Sequence, residues 1–170
     1  MNLEQISSWC APWNDLFSHS KLISGGVLGI HIMALVIGGG LAIAADRMTL
    51  RVAAGNASAR RGQLREVRDV HGVVLIGIVL LLVSGVLLAL ADVETFLPSP
   101  IFWIKLSLVA LLVVNGALLT RAERKLAARD DVALLNISED AWARIRLFSI
   151  CSVCLWIATA VVGIVLSNAA

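Results

Sequence analysis

The chain has 170 residues, of which 59% are hydrophobic and 15% charged, with a mean hydropathy of +0.89. A soluble domain carries about 45–50% apolar and about 25% charged residues, so a water-soluble monomer is excluded, and so is a disordered chain. Three cysteines do not staple a secreted fold, and a net charge of +2 supplies no field for nucleic acid.

The first twenty residues lack a basic stretch ahead of an apolar one, so they do not read as a signal peptide. Trp9, Trp13 and Phe17 recur every four residues, although Pro12 interrupts the pattern. The segment 1–20 is expected to lie along the outer membrane interface. Phe96, Phe102 and Trp103 are expected at the same level. Trp142 and Phe148 are expected at the inner one, in the aromatic belts of a membrane protein.

Four apolar runs follow, at about 22–45, 71–91, 101–120 and 147–167. Each is about 20 residues long, which lets a helix cross about 30 Å of hydrocarbon. None carries the wide polar stripe of a soluble bundle. None alternates like a barrel strand. The expected fold is all-α: a single domain made of a four-helix antiparallel transmembrane bundle. Consecutive spans are expected to be neighbours. The small faces of the first span (Ser24, His31, Gly38, Ala45) and the second (Gly77, Ser84, Ala91) should pack together.

Charge sets the orientation. Arg47, Arg51, Arg60, Arg61, Arg65 and Arg68 lie between the first and second runs. Arg121, Arg124, Lys125, Arg129, Arg144 and Arg146 lie between the third and fourth. Only Lys21 and Lys105 fall near the other face. The positive-inside rule then places both long basic segments in the cytoplasm and both termini outside, in a bacterial cytoplasmic membrane. Asn136 is expected to cap the helix entering the fourth span, with Glu139 three residues on.

Polar side chains at depth mark function in a membrane protein. His31 lies nine residues into the first span on a small-residue face, beside the run Gly38-Gly39-Gly40. That run admits either another helix or a flat ligand. His31 reads as an axial haem ligand, a hydrogen-bond partner for a quinone or a proton relay. Alternatively, it reads as half of an interhelical hydrogen bond to Ser84 or Thr159. His71 sits about 3 Å inside the inner boundary. It reads as an interfacial residue paired with Asp46 or Asp69, or as a second haem ligand with Met48 nearby. The candidate cofactor-binding residues are thus His31, His71, Gly38 and Gly39, with His31 and His71 as the candidate metal ligands. Two imidazoles on one iron must lie about 4 Å apart. These two differ by about 19 Å in depth on ideal helices. His19 reaches His31 only if the chain near Ser24–Gly26 is not helical.

Lys105 is expected to snorkel to the outer headgroups. Turned inward, it would sit about one turn outside His31 and bind a carboxylate, a propionate or an anionic substrate. Cys151 and Cys154 form C-x-x-C on one helix face and read as packing, or as soft ligands for Cu(I). Asn115 reads as helix glue. Cys10 reads as a free thiol or an intermolecular link.

The stretches HIMALVIGGGLAIAADR (31–47), VSGVLL (83–88) and SPIFWIKLSLVALL (99–112) resemble bacterial four-span integral membrane proteins. They distantly resemble copper-resistance-D-like transmembrane proteins. The resemblance implies a four-helix membrane domain with a connection to copper or haem. The chain departs from it in lacking a Met-rich or His-rich metal relay. The expected function is a small redox or electron-transfer module that binds b-type haem or serves a quinone. The alternative is a structural or accessory subunit of a larger membrane complex. A metal or small-solute permease needs a polar path that these spans lack. The expected partners are the lipid bilayer and other membrane subunits, not nucleic acid.

Overall fold

The computed structural model describes residues 3–52, 57–127 and 139–169, and every regular element among them is helical. In chain order these are α1 (Leu3–His19), α2 (Lys21–Ala34), a π-helical turn (Leu35–Gly39), α3 (Gly40–Arg51), α4 (Ala57–Ala91), α5 (Val93–Phe96), α6 (Pro100–Ala127) and α7 (Glu139–Ala169). Four helical stretches are long and apolar enough to cross a membrane: Lys21–Arg51, Ser58–Ala91, Pro100–Leu126 and Glu139–Asn168. The first joins α2, the π turn and α3 into one rod.

These helices outrun their apolar segments. At 1.5 Å per residue they are about 40–50 Å long, against about 30 Å of hydrocarbon. The surplus lies chiefly where the basic residues are. The charged turns of α3, α4, α6 and α7 therefore extend the spans helically at that end, the basic end. Local chemistry sets the breaks. Ser20 caps α2 by accepting from the Ile23 amide at 3.4 Å. Asp92 caps α5, accepting from Thr95. Pro100 starts α6, where a missing N–H leaves no bond unmade. The cap expected at Asn136 lies outside the described residues.

Helix α1 runs straight through Pro12, so the expected interruption does not occur. It seals the far end of α4. The Trp13 indole donates to the Leu87 carbonyl (2.9 Å) and the Asn14 amide to that of Ala91 (2.6 Å), one of the carbonyls that the end of a helix leaves free. Ser7 donates to Glu94 at 2.6 Å. Trp9 stays 78% exposed on the other side. Phe102 stacks with both Phe96 and Trp103 at this same end.

The first span packs on α4 with opposite direction, through His31–Ser84, Gly38–Gly77 and Thr49–Gln63. A Cβ placed on Gly77 would lie 2.8 Å from the Gly38 Cα, so only paired glycines permit this approach. The π turn divides the contacts of the rod. Gly38 faces α4, while Gly39 faces the Trp156 ring of α7. Beyond it α3 packs on α7, and α7 packs along α6, where the Asn115 amide donates to the Phe148 carbonyl at 3.0 Å. Not all consecutive spans are neighbours. Among the described residues no extensive contact joins α4 to α6, nor α2 to α6 or α7. The pairs α2/α4 and α6/α7 thus stand apart towards the α1 end and are tied together by α3 and α7 at the basic end.

A small buried cluster, Leu126, Trp142 and Ile145, has Leu64, Leu119 and Ala122 around it. Leu, Ile and Val side chains instead cover the outside of all four long helices, a surface compatible with lipid. Trp142 departs from its expected belt position. It is 1% exposed, beneath the Arg60 guanidinium at 5.2 Å, and Arg60 also reaches Glu139 at 2.9 and 3.1 Å. The basic segment that precedes α4 is thereby fastened to the start of α7.

Candidate functional site

His31 lies on the face of α2 that packs on α4. Its Nδ1 lies 2.8 Å from the Ser84 hydroxyl of α4. That hydroxyl has one proton, and its 2.5 Å contact with the Leu80 carbonyl takes it. Ser84 must then accept from His31, which puts the imidazole proton on Nδ1 and leaves Nε2 as a lone-pair acceptor. The ring is seated against Gly85, where a Cβ would lie 3.4 Å from the imidazole Cε1. Bare backbone beside Ser84 makes the room.

Lys105 turns inward instead of snorkelling. Its Nζ lies 3.3 Å from the position of a Cβ on Gly163 of α7, and its ammonium is an electrostatic neighbour of His31. Among the described residues no carboxylate pairs with it. One turn before Gly163 on α7, the Thr159 hydroxyl is buried without a hydrogen-bond partner. The site therefore has a basic nitrogen on α2 and a cation on α6, with a spare hydroxyl one turn away along α7. It holds no neutralising negative charge, and an unpaired cation at depth is expensive unless something binds it. It lies toward the α1 end, where α4 and α6 stand apart.

The other candidates are placed elsewhere. Gly38 and Gly39 have their open faces filled by Gly77 and Trp156. His71 lies thirteen residues before Ser84 on the continuous helix α4, about 20 Å along it, and makes no side-chain hydrogen bond among the described residues. Asp46, a suggested partner for it, faces Ser149 and Ser152 of α7 instead. His19 stays on α1 with Asp15. Asn115 ties α6 to α7. Cys10 and Cys151 are half-buried free thiols, and Cys154 is exposed.

These residues do not fit a b-type haem. The glycine cradle is closed by protein, and the two histidines cannot share an iron. No group of three or more His, Cys, Asp or Glu side chains suited to a metal ion occurs among the described residues. The arrangement around His31 instead suits a small ligand with oxygens that both donate and accept hydrogen bonds.

Reading the sequence did not single out the polar layer at the basic end. Thr49 accepts from the Gln63 amide at 3.1 Å, and Gln63 also reaches the Ala45 carbonyl at 3.2 Å. Asp46, 5% exposed, lies next to them, with Glu123 of α6 within electrostatic reach. The available signal was Asp46 itself, an acid placed immediately after the apolar run with small residues before it. No family model, curated protein or solved structure matches the chain.

Proposed function

We propose that the chain is a small membrane redox module that serves a quinone at the His31–Lys105 site. The carrying observation is the pairing of a lone-pair nitrogen with an unpaired ammonium inside the apolar layer. A quinol hydroxyl donates to His31 Nε2, and its oxygen accepts from Lys105. Thr159 offers a further hydroxyl on the α7 side. The gap between α4 and α6 supports entry from the lipid, where quinones dissolve.

Oxidation of a quinol to a quinone releases two protons and two electrons. His31 accepts one proton at Nε2, with Ser84 holding the ring in the tautomer that can do so, and the second proton leaves to water at the α1 end. Lys105 stabilises negative charge that develops on the ring oxygen. Neither residue carries electrons, which pass to a membrane redox partner. The accessory-subunit reading joins here, because the module then works as part of a larger assembly. The four spans form an antiparallel bundle in a bacterial cytoplasmic membrane. The basic end is cytoplasmic, both termini are external, and the quinone site lies in the outer half.

Binding is tested with purified protein in nanodiscs, by quenching of tryptophan fluorescence on titration with a short-chain quinol. Saturable quenching that weakens about tenfold or more in His31→Ala is expected, as for loss of a buried hydrogen bond to a charged or basic group. Equal quenching of both proteins refutes the site.

A further inference from the structure

The polar layer at the basic end carries a second inference, independent of the quinone reading. Gly39 of the first span faces Trp156 of α7. Seven residues onward along α3 is Asp46, and seven residues back along α7 is Ser149. On antiparallel helices, seven residues is about two turns, so this spacing sets the two face to face. Ser149 and Ser152, one turn apart on α7, are the hydroxyls that act on the Asp46 carboxylate. All three are buried, at 5% exposure for Asp46, 1% for Ser149 and 6% for Ser152. Yet the Ser149 Oγ completes no hydrogen bond of proper geometry. Asp46 forms no ion pair among the described residues, and Glu123 of α6 is within electrostatic reach but is not a ligand of the site.

A buried carboxylate without a counter-charge either takes up a proton or holds a cation. The surrounding donors are oxygen atoms: a carboxylate and two hydroxyls. Such hard oxygens suit hard cations. One directly coordinating carboxylate neutralises one positive charge. A divalent ion such as calcium takes six to eight oxygens, commonly with several carboxylates. We infer that Asp46, Ser149 and Ser152 form a binding site for a small monovalent cation, of the size of sodium, between α3 and α7. The orphaned Ser149 oxygen is its second ligand. Occupancy neutralises Asp46 and fastens the first span to α7 where the two helix pairs are joined.

The test is thermal unfolding of the full chain in nanodiscs, with sodium chloride or choline chloride at equal ionic strength. Sodium is expected to raise the midpoint saturably, because a ligand of the folded state stabilises it by mass action. The response should vanish in Asp46→Asn and need about tenfold more sodium in Ser149→Ala. Equal midpoints in the two salts overturn the site. A sodium response retained in Asp46→Asn overturns it too. So does a midpoint that follows pH but not sodium, which assigns the neutralising charge to a proton. Should Asp46→Asn fail to fold, radiolabelled sodium binding to the natural protein and Ser149→Ala decides. Equal affinity in the two, or no binding to either, rejects the inference.

Discussion

Gly38 and Gly77 meet backbone to backbone, with 2.8 Å between the Gly38 Cα and the place where a Cβ would stand on Gly77. The obstacle is main chain, which cannot swing aside as a flexible side chain does. Gly77→Ala must push the first span and α4 apart, and overpacking of this kind costs about 1–3 kcal/mol. A lower midpoint in thermal unfolding is the expected result. His31 and Ser84 lie two turns away on the same interface, so the substitution should weaken quinol binding as well. An unchanged midpoint would show that the helices are not in this register.

Ser84 holds the imidazole. Ser84→Ala removes the acceptor for the Nδ1 proton, and interhelical hydrogen bonds in membranes are worth about 0.6 kcal/mol on average, up to about 1–2. Stability should fall by that small amount. Nitrogen-15 NMR of labelled histidine should show a larger change, since the tautomer is no longer fixed. Retention of a single Nδ1–H form in Ser84→Ala would contradict the assignment.

Lys105 separates stability from function. An apolar residue of similar length removes an unpaired charge from the interior, so Lys105→Met should stabilise the protein. A gain of about 1 kcal/mol corresponds to about 2–4 °C in a chain of this size. Quinol affinity should fall in the same variant. A snorkelling lysine gives the opposite pattern, with neither stability nor affinity much altered.

At the basic end, Trp142 contributes volume and a ring face to Arg60. Trp142→Ala is expected to cost about 3–5 kcal/mol, as for other large aromatic truncations. Its indole N–H has no hydrogen-bond partner among the described residues. Trp142→Phe therefore gives up less than half of that and keeps a ring under Arg60. Denaturant titration of the two variants checks the order.

The spans were legible because lipid is their solvent: an apolar run about 20 residues long states both the helix and its environment. The packing of the small face of the first span on that of α4 was legible too, since small residues at one depth on adjacent helices have few other uses; for His31 the sequence left Ser84 and Thr159 open, and the fold selects Ser84. The direction of Lys105 was not. A four-carbon stem reaches the headgroups or the interior equally well, and the space at Gly163, far along the chain, decides. Trp142 near a boundary fits a belt by composition; only the fold brings Arg60 over it. Asp46 was read only as a partner for His71, because it falls just past the apolar run, where a loop was expected and the helix in fact continues to Arg51.

The most direct measurement is photolabelling with an azido-quinone in nanodiscs, followed by peptide mapping. Label should appear on peptides that contain His31 and Lys105, be displaced by unmodified quinol, and be lost in the His31→Ala, Lys105→Met double variant. Label spread over the lipid-facing surface, with no displacement and no response to those substitutions, contradicts a quinone site between the two helix pairs.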